Sequence, residues 1–216
     1  MKFLVLFLVL FLVPLFCMAQ PNAYFKDEVT AISKKYDSLW DSSRETIVFT
    51  GSSSVRMWKT LDQDFPNHQV LNTGFGGSQT IDLLGYTKEL IFTYRPKKVF
   101  IYEGDNDISS KKKSKEILTT FSELIETIKV NDSTTKVVII SPKPSISRWK
   151  YKGKYKRLNR KLKRFCEEND NLEFANVWDI MLERKKLKKD LFISDGLHMN
   201  EKGYQLWHSV IKDYID

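Results

Sequence analysis

The stretch Thr46-Ile-Val-Phe-Thr50, followed by Gly51-Ser-Ser-Ser54, decides the fold of this chain. It is a short, continuous, β-branched apolar run that stops at a glycine, which is typical of a strand buried on both faces of a parallel sheet. Comparable apolar runs follow along the chain at residues 69–71, 98–102, 136–140 and 172–177.

Helical patterns lie before, between and after these runs, at residues 23–39, 80–94, 114–130, 150–168 and 201–214. Strands that alternate with helices predict a parallel sheet covered on both sides. We therefore expect an α/β fold: a three-layer α/β/α sandwich around a five-stranded parallel sheet. In such sheets, ligands bind outside the carboxyl ends of the strands.

The first nineteen residues have the pattern of a secretory signal peptide. Lys2 supplies the positive charge, residues 3–16 form an apolar run, and Cys17-Met-Ala19 offers a cleavage site before Gln20. The run is too short for stable membrane insertion, for which about 20 residues are needed. We expect a secreted or periplasmic protein with one domain at residues 20–216. The alternative is a lipoprotein anchored through Cys17, although the bulky Phe16 disfavours it.

The formal net charge is +8, and residues 143–164 contain eleven basic side chains and no acidic one. One interpretation is a patch for an anionic polymer. The preferred one is the solvated face of a helix, because Leu158, Leu162 and Phe165 repeat at helical spacing and no nucleic-acid motif accompanies the charge. We therefore expect no nucleic-acid partner. Only Cys166 remains after signal cleavage, so neither a disulfide nor a metal site is expected.

Polar clusters follow three of the predicted strands and precede the last helix. They lie at residues 51–54, 72–78, 103–107 and 195–198. Each alone is also an ordinary turn or helix-cap sequence. Because the carboxyl ends of parallel strands share one edge of the sheet, all four clusters are expected to meet there.

Two of these clusters supply the residues of a serine nucleophile and its base. His198 follows Asp195 by three residues, and it is the one histidine of three with a carboxylate so close in sequence. A serine becomes nucleophilic when an imidazole, oriented by a carboxylate, removes its proton. The alternative for Asp195 and His198 is a helix N-cap with a surface histidine.

The ordered set of clusters resembles the motifs of the SGNH (GDSL-type) hydrolases, and the resemblance extends over essentially the whole mature chain. It is similar in particular to a secreted bacterial branch of that family. Gly51-Ser52-Ser53 is similar to the family's Gly-Asp-Ser block, residues 72–80 to its glycine block, residues 104–107 to its Gly-x-Asn-Asp block and residues 195–198 to its Asp-x-x-His block. One departure is Ser52, which stands where the family has Asp. Because three serines are adjacent, the position of the nucleophile is uncertain by one residue. Ser53 is the serine that fits the spacing of the family motif.

The resemblance implies a flavodoxin-like fold and a Ser53–His198–Asp195 triad. It also implies an oxyanion hole made by the backbone N–H groups of Ser53 and Gly77 and by the amide of Asn106. The family chemistry implied here needs no metal and no cofactor.

The expected function is an exported serine esterase that acts on short-chain acyl esters, in particular acetyl groups on carbohydrate. Trp58 and Trp149 are candidates for stacking on the sugar. The alternative enzyme is a lysophospholipase or short-chain lipase, and the alternative from another class is a non-catalytic carbohydrate-binding module that uses Trp58, Trp149 and Tyr151. No long apolar segment remains outside the predicted core to line an acyl tunnel, which favours small acyl groups.

Overall fold

A computed structural model of the protein describes residues 20–216, so the expected signal peptide at residues 1–19 lies outside the described residues. Its centre is a five-stranded parallel sheet in the order β2-β1-β3-β4-β5. The strands are β1 (Thr46–Gly51), β2 (Gln69–Asn72), β3 (Lys98–Tyr102), β4 (Lys136–Ile140) and β5 (Leu172–Ala175). These strands are the predicted ones, with small changes at their ends.

Helices cover both faces of the sheet. The α-helices are α1 (Lys26–Tyr36), α2 (Ser53–Arg56), α3 (Leu61–Asp64), α4 (Thr80–Gly85), α5 (Thr87–Leu90), α6 (Asp105–Ser109), α7 (Ser114–Asn131), α8 (Lys152–Glu167) and α9 (Glu201–Ile211). The expected three-layer α/β/α architecture is therefore confirmed.

The in-register pairing of the strands divides the core into two apolar clusters. Val48 of β1 lies beside Val99 of β3, and both face the cluster built with α1, α4, α5, α7 and α8. Phe49 lies beside Phe100, with their rings stacked 4.3 Å apart, and both face the cluster that includes residues of α3 and α9. Because successive strand residues point to opposite faces, a continuous apolar run such as β1 serves both clusters.

The helix predicted at residues 80–94 is not continuous, and this prediction was wrong. The chain forms α4, α5 and a 3₁₀ turn, Phe92–Tyr94, instead. At the first break Gly85 lies against the N-terminal segment, where an added Cβ would be 3.1 Å from the Cα of Pro21. The hydroxyl of Tyr86 also donates a hydrogen bond to the carbonyl of Asn22. Contacts with a distant part of the chain thus override the local helical pattern.

Two further differences lie near the end of the chain. β5 ends at Ala175 rather than at residue 177, because the Val177 N–H donates to the side chain of Ser141 rather than to a strand. A small antiparallel hairpin, β6 (Leu182–Glu183) and β7 (Lys186–Leu187), was not predicted. Among residues 20–216, no helix combines the length and the apolar character needed to cross a bilayer.

Candidate active site

The four polar clusters meet at the carboxyl edge of the sheet, as the topology requires. β1 ends at Gly51, whose φ of +117° and close contact with β3 exclude a side chain: an added Cβ would lie 2.1 Å from the Tyr102 carbonyl oxygen. The chain then turns directly into the short helix α2, which starts at Ser53. The glycine thus allows the serine to project from the end of a central strand.

Of the three adjacent serines, Ser53 is the one that contacts a histidine. Its Oγ lies 2.8 Å from Nε2 of His198, whereas Ser52 and Ser54 are buried. The other histidines lie elsewhere: His208 packs against Phe65, and His68 faces Asp216.

Asp195 fixes both the ring and the backbone of His198. Its Oδ2 lies 2.6 Å from Nδ1 of the imidazole, and its Oδ1 accepts hydrogen bonds from the N–H groups of Leu197 and His198, at 2.8 and 2.9 Å. A carboxylate can only accept, so the Nδ1 proton points to Asp195 and Nε2 is left as an acceptor for the Ser53 hydroxyl. This is the tautomer that a general base requires.

The Asp195 carboxyl is held in its ionised form. Partial burial alone would raise the pKa of Asp195, but the hydrogen bonds from the His198 side chain and from the Leu197 and His198 N–H groups outweigh it and lower the pKa to about 2. The negative charge is therefore present beside His198 over the whole neutral range and can stabilise an imidazolium.

Three candidate donors for an oxyanion lie at this edge of the sheet: the N–H groups of Ser53 and Gly77 and the side-chain amide of Asn106. Among residues 20–216, no group accepts a hydrogen bond from the N–H of Ser53 or of Gly77. Gly77 has a φ of +79°, and apart from its chain neighbours no atom of residues 20–216 lies within 4 Å of the place where its Cβ would be. Backbone N–H groups that lack a protein acceptor suit a developing oxyanion.

The third donor is the side-chain amide of Asn106. Arg148 donates to Oδ1 of Asn106 at 2.9 Å, which fixes the orientation of the amide because a guanidinium can only donate. Nδ2 donates to the carbonyl of Ser78 at 2.8 Å, and no group of residues 20–216 accepts its second hydrogen, which can therefore point to a ligand. The structure thus brings Ser53, Gly77, Asn106, Asp195 and His198 to one edge of the sheet.

A buried ionic network lies directly behind Asn106. The carboxyl of Asp105 accepts hydrogen bonds from Tyr102, Arg148 and Tyr155, and Lys143 Nζ lies 4.0 Å away. Burial alone would raise the pKa of Asp105, but the positive charges of Lys143 and Arg148 and the hydrogen bonds lower it. Charge pairing thus keeps a buried carboxylate ionised, as buried charges require.

Lys143 connects this network to the loop that carries the histidine. Its side chain is 0% exposed, and its Nζ donates to the carbonyl of Leu197 at 2.6 Å. Burial lowers the pKa of Lys143 to about 8, although the nearby Asp105 opposes this effect. One buried cation therefore contacts both the Asp105 carboxyl and the loop between Asp195 and His198.

Sequence reasoning missed Lys143, Arg148 and Asp105 as parts of the site. Lys143 and Arg148 belong to the basic stretch that was interpreted as a solvated helix face, but they precede α8 and point inward. The signal was present: Pro142 and Pro144 flank Lys143, so this lysine could not belong to a helix interior.

The proposed sugar contact of Trp58 is corrected by the structure. Trp58 is 1% exposed, its ring packs against Phe49, Phe65 and Trp207, and its Nε1 donates to Asp64. A side chain closed off from solvent cannot stack on a ligand, and the same finding removes Trp58 from the binding-module hypothesis.

Trp149 remains partly exposed, one residue after Arg148. One face of its ring stacks on Trp178, and Nζ of Lys152 lies 5.0 Å from its centroid. Part of the Trp149 side chain is therefore available to a substrate, although Trp178 and Lys152 lie next to its ring. Two lysines, Lys150 and Lys154, likewise lie over the ring of Tyr151, which is also partly exposed.

Comparison with known proteins agrees with this geometry. The model of the GDSL-like lipase/acylhydrolase family matches residues 37–206. No curated protein matched the sequence.

Solved structures of similar fold come from several bacteria. A Streptococcus pneumonia protein provisionally described as a platelet activating factor is 25% identical, with a TM-score of 0.77 and coverage of 89% of this chain and 95% of that one. A GDSL-like lipase from Bacteroides thetaiotaomicron is 21% identical, with a TM-score of 0.72 and coverage of 89% and 95%.

A mutant of Axe2, an acetyl-xylooligosaccharide esterase from Geobacillus Stearmophilus, is 18% identical, with a TM-score of 0.66 and coverage of 80% and 94%. The family match spans well over half of the chain and includes every cluster at the sheet edge. The chain therefore belongs to the GDSL-like lipase/acylhydrolase family, whose members are ester hydrolases.

Proposed function

We propose that the protein is an exported serine esterase that hydrolyses short-chain acyl esters, and that acetyl groups on carbohydrate are its substrates. One observation carries the catalytic part of the proposal. Ser53 Oγ, His198 and Asp195 form a continuous chain of hydrogen bonds of 2.8 and 2.6 Å.

The reaction follows from this arrangement. Ser53 Oγ attacks the ester carbonyl while Nε2 of His198 takes its proton, and Asp195 stabilises the resulting imidazolium. The oxyanion receives hydrogen bonds from the N–H groups of Ser53 and Gly77 and from Nδ2 of Asn106. His198 then returns the proton to the leaving alcohol. A water molecule repeats the sequence on the acyl-enzyme, which releases the acid and restores Ser53.

Exposed apolar side chains support an acyl group as the moiety bound beside the triad. Ile146 and Ile193 are both 40% exposed, so part of each side chain is available for contact with a ligand. The N–H of Ile193 donates to the carbonyl of His198. Ile146 lies against Gly196, because a Cβ added to Gly196 would be 3.1 Å from the Cβ of Ile146. Ile193 and Ile146 thus contact the loop that carries His198, and they are our candidates for the apolar contact of a short acyl chain.

The carbohydrate part of the proposal rests on a shared fold and on one partly exposed tryptophan. The acetyl-xylooligosaccharide esterase shares the fold, and the partly exposed Trp149 follows Arg148, which contacts Asn106. A cavity of about 520 Å³ does exist, but Ile91, Pro96 and Ile128 line it at the amino edge of the sheet, opposite Ser53. That cavity cannot hold the acyl chain of an ester bound to Ser53.

A lysophospholipase or short-chain lipase is the second candidate. Exposed lysines at 150, 152 and 154 follow Arg148, so a basic surface begins close to the site and would attract a phosphate headgroup. The similarity to the Streptococcus pneumonia protein that is provisionally described as a platelet activating factor is consistent with this candidate.

An acyl-chain series distinguishes the candidates. We expect kcat/KM on matched esters to be highest from acetyl to butyryl and to fall for longer chains, and acetylated oligosaccharides to release acetate faster than a lysophospholipid releases fatty acid. In a true lipase, each buried methylene adds about 0.8 kcal/mol, so activity would instead rise with chain length. Hydrolysis of none of these esters, together with binding of the oligosaccharide, would favour a binding module.

Export is proposed from the sequence of residues 1–19, and Cys17 provides the lipoprotein alternative. Expression of the full chain in a bacterial host, followed by mass spectrometry of the exported protein, tests both. A mature chain that starts at Gln20 supports secretion or periplasmic release. A lipid-modified Cys17 at the N-terminus supports anchoring, and an intact Met1 in the cytoplasm contradicts both.

A further inference from the structure

Glu103 is a fully buried acidic residue that the reaction above does not use. It follows the last residue of β3 and precedes the Gly104–Asp107 cluster, and its exposed fraction is 0%. Its Oε1 lies 2.6 Å from Oγ of Ser78. Its Oε2 is also buried and has no hydrogen-bond partner among the residues that the structure describes.

The hydrogen bonds of Ser78 indicate which form of Glu103 is present. Oγ of Ser78 lies 2.6 Å from Glu103 and 3.3 Å from the carbonyl oxygen of Phe75, but a hydroxyl has one hydrogen to donate. With an ionised Glu103, that hydrogen goes to the carboxylate and the Phe75 carbonyl loses its donor. With a protonated Glu103, the acid donates to Ser78 and Ser78 donates to Phe75. The protonated form therefore satisfies both contacts.

The electrostatic surroundings favour the same form. Burial, and then the negative charges of Asp107, Asp82 and Asp105, raise the pKa of Glu103 well above its ordinary value, although the hydrogen bond with Ser78 opposes them. An ionised Glu103 would leave a negative Oε2 buried and unpaired among other carboxylates, which is strongly unfavourable.

Ser78 joins the parts of the oxyanion site. It follows Gly77 in the chain, and its own carbonyl accepts the hydrogen bond from Nδ2 of Asn106. At the other end of the same loop, Phe75 donates its N–H to the carbonyl of Gly51, two residues before Ser53. A hydrogen bond that holds Ser78 therefore holds two of the three donors relative to the nucleophile.

We propose that Glu103 is a neutral carboxylic acid in the working enzyme and that it is a positioning residue, whose hydrogen bond to Ser78 keeps the Gly77 N–H and the Asn106 amide aimed at the oxyanion. This role rests on the proposed function, since it concerns the alignment of donors for ester hydrolysis.

The kinetic test compares two substitutions of similar size. Glu103→Gln keeps a neutral donor to Ser78 and should keep most of the wild-type kcat with an unchanged pH profile. Glu103→Met removes the donor and should lower kcat by about 10- to 100-fold with little change in KM. This loss is smaller than the 10²–10³ typical when an oxyanion donor is deleted, because the donors are misaligned rather than absent. Equal losses in both variants, or full activity in Glu103→Met, would overturn the proposal.

A spectroscopic test does not depend on turnover or on the folding of a damaged variant. The infrared spectrum of the wild-type protein at neutral pH should contain the carbonyl stretch of a buried carboxylic acid. This band should shift in D₂O and disappear in the well-folded Glu103→Gln variant. Absence of the band would refute a neutral Glu103. If the band is present but no ester is hydrolysed, the proposed function fails and the protonation of Glu103 stands.

Discussion

At the residue scale, the central relation is that of Ser53 with His198 and Asp195. The predicted topology brought the serine cluster to the same sheet edge as Asp195 and His198, and the family resemblance singled out Ser53. The structure places the three side chains at hydrogen-bond distance. Their catalytic roles remain predictions. The replacement of the family's Asp by Ser52 does not displace the nucleophile, because Ser52 keeps its backbone contact with Tyr102 and the turn after Gly51 is intact.

Asn106→Ala tests the oxyanion donor. The substitution removes Nδ2, which acts on the transition state more than on the bound ester, so kcat should fall by about 10²–10³ while KM changes little. Steady-state kinetics on an acetyl ester measures this split. Asn131→Ala, an exposed position at the end of α7, is the control and should match the wild type. A rise in KM alone would place Asn106 in ground-state binding.

Asp195→Asn tests the orientation of the base. The amide cannot hold the imidazole in the required tautomer or stabilise its positive charge, so kcat should fall by about 10⁴. The pKa of Asp195 is about 2, below its ordinary value of 3.8. The ionised carboxylate therefore stabilises the fold above pH 3.8, and this stabilisation is lost as the pH falls from 3.8 through about 2. A decline of wild-type activity above pH 4 should therefore not come from protonation of Asp195. Wild-type kcat in Asp195→Asn would contradict the triad.

At the element scale, the loop between Ile193 and α9 is positioned by contacts with several segments. Lys143, after β4, holds the Leu197 carbonyl, and the Ser147 N–H donates to the Gly196 carbonyl at 3.0 Å. Sequence patterns located this loop but not its supports. A lysine in a basic stretch is normally exposed, and only three-dimensional packing shows that this one is enclosed.

Lys143→Met should lower kcat by about tenfold, because the His198 loop loses a buried hydrogen bond worth about 1.5–3 kcal/mol. The buried cation also predicts a pH effect with a definite sign. The pKa of Lys143 is about 8 in the folded protein and 10.5 in the unfolded chain, so the folded state loses the proton at a lower pH. The free energy of unfolding should therefore increase as the pH rises from about 8 to 10.5.

Urea unfolding at pH 7.5 and pH 10 measures this effect. The difference in unfolding free energy between wild type and Lys143→Met should shift in favour of the wild type at the higher pH. Lys150→Met, on the exposed surface, should show no such shift. An unchanged difference for Lys143→Met would contradict a depressed pKa.

At the scale of the whole molecule, the sheet and its two coverings were predictable, because continuous apolar strands and amphipathic helices have different periods. The break at Gly85 could not be predicted, because it depends on contact with residues 21 and 22. The β6–β7 hairpin could not be predicted either, because each of its strands has only two residues. The resemblance to the SGNH hydrolases singled out five site residues, and the structure brings three of them, Ser53, His198 and Asp195, into hydrogen-bond contact. The inward turn of Lys143 and Arg148 and the burial of Trp58 depend on packing that no local pattern contains.

Trp58→Ala tests the assignment of this residue to the core. Its indole contacts both the strand layer and α9, so its removal should cost about 3–5 kcal/mol of unfolding free energy. The conservative Trp58→Phe should leave KM for an acetylated oligosaccharide unchanged, because the ring does not reach the ligand. Chemical denaturation and steady-state kinetics measure the two effects. A selective rise in KM with unaltered stability would return Trp58 to the binding site.

The identity of the nucleophile is the central claim, and covalent labelling tests it most directly. The wild-type protein is treated with an organophosphonate, digested and mapped by mass spectrometry, with His198→Ala and His208→Ala treated in parallel. The account predicts a single adduct on Ser53, formed at the wild-type rate in His208→Ala and strongly slowed in His198→Ala. An adduct on Ser52 or Ser54, or labelling of Ser53 that is indifferent to His198, would contradict it.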